Sequence, residues 1–245
     1  MATVSDLVAL LDRLSRLAAT PLLAALAGST ILILLVRNWR LALPALIVQY
    51  AVVGIMLARV IPPGVALIKP LAGALVCLAL SVAAQRADNQ RASRGESVAA
   101  ERIHHVSWRS VPAQVLLRAI ATALVLTAAF GATIRFPLPG NAHELGLGAY
   151  VLVASSILLL ATAPEALNIG IGLLMFISGV ELGYTPLEPS ISVSVLLGFM
   201  TLLVGFAIAY LTLADGGVLL EQIKVELPVR TLRSRHMTVS GEHHE

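Results

Sequence analysis

The chain has 245 residues, 58% of them apolar and 13% charged, with a net charge of +3 and a mean hydropathy of +0.88. Soluble domains average roughly 45–50% apolar and about 25% charged residues, so the composition excludes a soluble globular domain, a disordered chain, a nucleic-acid binder and a disulfide scaffold. A membrane span takes about 20 apolar residues, and the chain has room for seven spans with loops and ends to spare.

In chain order, the first twenty residues carry Asp6 and Asp12 and lack a basic leader region, which argues against a secretory signal. Leu7, Leu11, Leu14 and Ala18 recur at helical spacing, with Asp6, Asp12, Arg13 and Arg16 mostly on other faces. Residues 1–20 are therefore predicted to form an amphipathic helix at the membrane surface. Seven apolar runs follow, at 21–37, 41–60, 64–84, 112–134, 146–163, 166–183 and 191–213. Turn signals separate them: Arg37-Asn38-Trp39-Arg40, Pro62-Pro63-Gly64, Pro137-Leu138-Pro139-Gly140, Pro164-Glu165 and Pro186 to Pro189. The expected fold class is all-α, a polytopic membrane helix bundle of about seven transmembrane helices over 21–213, followed by a cytoplasmic tail at 214–245.

Lys and Arg set the expected orientation. With the N-terminus outside, the inner segments hold eleven (Arg37, Arg40, Arg86, Arg91, Arg94, Arg102, Arg109, Lys224, Arg230, Arg233, Arg235), and the outer ones four (Arg13, Arg16, Arg59, Arg135). The reading is a multi-pass protein of the cell inner (plasma) membrane, N-terminus outside and C-terminus cytoplasmic. The inner loop 85–111 carries five Arg against Asp88, Glu96 and Glu101. It is expected to touch anionic lipid headgroups, or alternatively to dock a cytoplasmic partner. His104-His105 has no Cys, His or acid at ligand spacing nearby, so no metal site is expected.

Offset by 126 residues, the first three spans lie over the last three. Ser29-Thr30-Ile31-Leu32-Ile33-Leu34 falls on Ser155-Ser156-Ile157-Leu158-Leu159-Leu160, and the turns at 37–40 and 61–64 fall on 163–166 and 187–190. One span separates the triplets, so both run in the same direction, as a parallel three-helix repeat.

No nucleophile–base arrangement, phosphate loop or haem motif is present, and neither catalytic residues nor a cofactor are expected. Ionisable residues inside a membrane are then the candidates, because each needs a partner there. Lys69 lies about 8 Å into the third span and Arg118 about 9 Å into the fourth, at 1.5 Å per residue. Both are expected to snorkel to the nearest interface, the alternative for Lys69 being a buried, partnered lysine able to pass protons. Glu181 closes the sixth span. It reads as a solvated helix-end carboxylate or, more sharply, as a proton or cation entry point, so Lys69 and Glu181 are the proton-path candidates. Glu165 suits the N-terminus of the sixth span, while Asn168 and Gln49 suit interhelical hydrogen bonds. Gly170, Gly172, Gly179 and Gly183 in the sixth span, and Gly198 and Gly205 in the seventh, read as helix-packing positions. The last three spans are accordingly expected to be a packing element, any proton role resting with Lys69.

The runs Val36-Arg37-Asn38-Trp39-Arg40…Gln49 and Leu67-Ile68-Lys69-Pro70…Ala83-Ala84-Gln85-Arg86 resemble the first three helices of the hydrogenase-4 component E family of membrane proteins. The stretch Pro164-Glu165-Ala166-Leu167-Asn168-Ile169-Gly170-Ile171-Gly172-Leu173-Leu174-Met175-Phe176 is similar to the second helix of the related small K component of complex I. The resemblance covers roughly 30–85 and 146–213, on short apolar motifs. It implies a non-catalytic membrane subunit of a proton-translocating oxidoreductase, without a redox centre of its own, beside large antiporter-like subunits. Residue by residue it reaches Gln49 and Lys69. It departs at Gly172-Leu173-Leu174, where the family's sixth helix carries a membrane-embedded glutamate. A stand-alone transporter or channel, and a membrane anchor or assembly factor, are the rival readings.

Overall fold

The computed structural model describes residues 19–36, 38–93, 111–136, 143–163, 165–188 and 190–214. The surface helix expected over 1–20 lies almost wholly outside the described residues, as do the larger part of the 85–111 loop and nearly all of the tail. Among the described residues the chain is helical, without strands. The helices are α1 (Ala19–Leu35), α2 (Trp39–Leu57), the single turn α3 (Pro63–Ala66), α4 (Ile68–Ser93), α5 (Val111–Arg135), α6 (His143–Thr162), α7 (Ala166–Tyr184) and α8 (Ile191–Ala214). Among the described residues, six spans are long and apolar enough to cross a membrane, α3 and α4 counting as one, and α1 is a shorter apolar helix. At 1.5 Å per residue the 17 residues of α1 extend about 25 Å, within reach of a hydrocarbon core of about 30 Å. The protein is a multi-pass membrane helix bundle.

Local chemistry sets the ends. The Asn38 side chain caps α2 by accepting from the Arg40 amide at 3.0 Å, satisfying one of the amides a helix start leaves open. Pro63 opens α3, where its missing N–H costs nothing. The last turn of α7 passes into Thr185–Leu187, where Pro186 stops it. At its far end α4 continues to Ser93, past the membrane edge expected near residue 84. Ala83-Ala84-Gln85-Arg86-Ala87 are good helix formers, neither Gly nor Pro intervenes before Gly95, and a polar helix has no reason to stop at the interface.

α2 and α4 each pack on the preceding spanning helix, as do α6 and α7, whereas α5 packs on α6 and α1. The end of the bundle where α1 begins is called proximal here, and the Trp39 end distal. α6 packs most extensively on α7; α2 lies between α1 and α4; α1 also meets α6, and α2 meets α7. Inside lipid no hydrophobic effect drives helices together, so close backbone approach must do it. The glycines provide it. A Cβ on Gly179 would lie 2.8 Å from Val153 Cγ2 and 3.0 Å from the Val153 backbone nitrogen. Gly172 and Gly183 face Leu160 and Ala149 on the same α6–α7 seam. Gly198 and Gly205 face Ile68 and Val76 on α4, and Gly170 faces Ile208 of α8, which wedges α8 between α4 and α7. By contrast α5 leaves Leu116, Leu117, Leu124 and Ile134 exposed.

Candidate functional site

The proximal half of the bundle encloses an ion pair. Lys69, on the first turn of α4, brings its Nζ to 2.5 Å from Glu181 Oε2 on the last full turn of α7, and the side chains are 2% and 3% exposed. The Lys69 ammonium also donates to Thr201 Oγ1 of α8 at 3.3 Å. That hydroxyl in turn donates to the Leu197 carbonyl at 2.8 Å, so its single proton is used and a lone pair faces the ammonium. The third neighbour is an aromatic face: Nζ sits 5.4 Å from the centroid of the Tyr50 ring on α2, within cation–π range. Four helices thus converge on one ammonium.

The sequence builds this convergence from small residues next to the polar ones. Gly73, one turn beyond Lys69 on α4, lets the Tyr50 ring lie against the α4 backbone, since a Cβ there would collide with the Tyr50 ring carbons. Pro70, immediately after Lys69, rests against Gly54 of α2. Gly198 and Gly205 bracket Thr201 along α8 at three and four residues' distance, and both face α4. Below Glu181, the Ser178 hydroxyl donates to the Leu174 carbonyl at 2.9 Å, and Thr185 Oγ1 donates back to the Glu181 carbonyl at 2.7 Å. These hydroxyls return their protons to the helix backbone and so sit inside apolar surroundings without an open donor.

The structure therefore differs from the simpler expectations for both ionisable residues. Lys69 does not snorkel, and Glu181 is not solvated, although it lies only one turn from the end of α7. Lys69 finds its carboxylate within the same chain, and α7 and α8 supply polar partners instead of packing surface alone. Tyr50 and Thr201 were not legible as site residues from composition. The Gly198–Gly205 face did carry a signal for Thr201, because the hydroxyl lies on the same stripe.

Elsewhere, Arg118 is half-buried and lines a small cavity with Asn168 and Thr162 at the distal end. Gln49 is buried, and among the described residues its Oε1 meets no hydrogen-bond donor. Glu165 stands at the start of α7 without a side-chain capping bond. A second ion pair closes the proximal rim, Arg59 Nη1 to Glu144 Oε2 at 2.8 Å, with 20% and 44% exposure. It ties the end of α2 to the start of α6.

Chemically, an ammonium–carboxylate pair away from water has two neutral or charged arrangements related by one proton, which is what a relay group in a membrane requires. Comparisons of the chain with protein-family models, with curated proteins and with solved structures find no match.

Proposed function

We propose that this membrane helix bundle is a non-catalytic integral membrane subunit of a proton-translocating, complex-I-like or membrane-hydrogenase-like oxidoreductase, packed beside antiporter-like subunits. The observation that carries the reading is the buried Lys69–Glu181 pair. A charge inside a membrane is costly, and pairs of this kind mark proton or ion paths. The open apolar faces of α5 and α8, with Leu117, Leu124, Phe199 and Phe206 exposed, supply surface for neighbouring membrane helices. The proposal includes the three-helix repeat: Leu26 and Leu152, Ser29 and Ser155, Thr30 and Ser156, Ile33 and Leu159, each 126 residues apart, are buried alike, and α1 packs on α6. It also includes the orientation, with the proximal end periplasmic, and headgroup contacts along the 85–111 segment.

The same pair supports a second reading, a stand-alone proton or cation transporter, because such proteins place charged ligands between helices inside the bilayer. Purification from native membranes in mild detergent separates the two. The subunit reading expects co-purification at fixed stoichiometry with large multi-pass subunits, and proton transport by the assembled complex that Lys69→Met abolishes without dispersing it. A chain that is alone in every preparation and transports protons after reconstitution by itself would replace the first reading with the second.

A further inference from the structure

Away from the ion pair, the distal half of the bundle carries a groove between α2 and α4 of about 480 Å³. Its deep part is apolar, lined by Leu43, Ile47, Ala74 and Leu78, and its mouth is polar, lined by Arg40 and Gln85. Pro44 is exposed along the groove.

The mouth is built around Trp39. Its indole Nε1 donates to Asp88 Oδ2 of α4 at 2.9 Å, which fixes the ring between the two helices. The Arg40 guanidinium lies 5.5 Å from that ring's centroid, a stacking that holds a long side chain in place. No carboxylate pairs with Arg40 among the described residues, and it is the one charged residue lining the groove. Asp88 keeps its charge when it accepts from the indole, but it lines the neighbouring cavity beside Glu165 and not this groove, so the charge that the groove itself presents is that of Arg40.

The dimensions identify the occupant. From Arg40 to Ile47 along α2 is seven residues, about 10 Å, and from Gln85 to Ala74 along α4 is eleven, about 16 Å. Half of a hydrocarbon core of about 30 Å is the length of one leaflet's acyl chains. A groove that starts at a guanidinium in the headgroup layer and ends one leaflet deep matches one acyl chain below one phosphate. We propose that the α2–α4 groove is a binding site for an anionic glycerophospholipid, its phosphate on Arg40 and one acyl chain along Pro44, Ile47, Ala74 and Leu78.

Trp39 reports on the site directly. The chain contains two tryptophans, so the full-length Trp108→Phe protein in phosphatidylcholine nanodiscs fluoresces from Trp39 alone. Phosphatidylglycerol with brominated acyl chains, added at low mole fraction, is expected to quench it as though enriched roughly fivefold, the preference one basic side chain confers near a membrane. Brominated phosphatidylcholine at the same fraction quenches only to its bulk level. Arg40→Gln removes the excess and Arg40→Lys keeps most of it, while the comparison between lipids needs no change at Arg40. Equal quenching by the two lipids would overturn the proposal, and if it rose on diluting the protein into lipid it would place a second copy of the chain in the groove. Loss of the excess on adding inorganic phosphate would likewise overturn it, reassigning the mouth to the free anion.

Discussion

Neutralising one partner of the Lys69–Glu181 pair and neutralising both should have opposite consequences. At 2.5 Å the attraction between unit charges is about 7 kcal/mol for an effective dielectric constant of about 20. Desolvating the two ions costs several kcal/mol each, so the pair as a whole contributes little net stability. Removing one member leaves the other buried and alone, which costs about 3–5 kcal/mol. Lys69→Met and Glu181→Leu are each expected to lower stability by that amount, because both sites are sealed by α2 and α8 and admit no water to rescue the orphan. The double variant places two apolar side chains face to face and should recover to within about 1 kcal/mol of the parent, since well-packed apolar replacements of buried ion pairs are often neutral or stabilising. Equilibrium unfolding in mixed detergent–SDS micelles measures all four proteins, and the cycle yields a coupling of at least about 5 kcal/mol. Additive losses, with the double variant the least stable, would mean that the two charges do not depend on each other and would refute the argument.

Three further outcomes test other parts of the fold. Gly179→Leu forces a side chain into Val153 on α6 and should cost about 1–3 kcal/mol as overpacking in the same unfolding measurement; Val180→Leu, at a position 42% exposed, should stay within about 0.5 kcal/mol. Arg59→Gln removes a pair that solvent partly screens on its Glu144 side, 44% exposed, so a loss of about 1 kcal/mol is expected, and a much larger one would show that the proximal rim between α2 and α6 is drier than its exposure indicates. Cysteine introduced at Ala92 and at Ala142 should react with an impermeant thiol reagent only from the cytoplasmic and only from the periplasmic side, respectively, the buried native Cys77 staying silent; labelling of position 92 from outside reverses the proposed orientation.

The sequence carried the helices and their glycine seams because both depend on local pattern: apolar runs bounded by Pro, Gly and charged turns, and small residues at three-, four- and seven-residue spacing. The ion pair was not legible, for a physical reason. Position along a helix gives the distance to the interface, and by that measure Lys69 and Glu181 are both near an end. It says nothing about lateral position. A residue one turn from the end, but on the inward face, is shielded by its neighbours as well as one at the midplane. Its partner is 112 positions away in the chain, beyond any periodicity.

The glycines, read only as packing, held part of that missing information. Gly198 and Gly205 both face α4, and Thr201 lies between them on the same stripe; Gly73 faces the Tyr50 ring one turn from Lys69. Where two or three glycine contacts meet at one level, the helices stand too close for water to enter, and any ionisable side chain at that level must be satisfied by protein. The packing positions and the chemical positions are therefore one feature. In α4 and α8 the small residues make the walls that force Lys69 onto Glu181, and a bulky residue at Gly73 or Gly205 would open the pair to water as it pushed the helices apart.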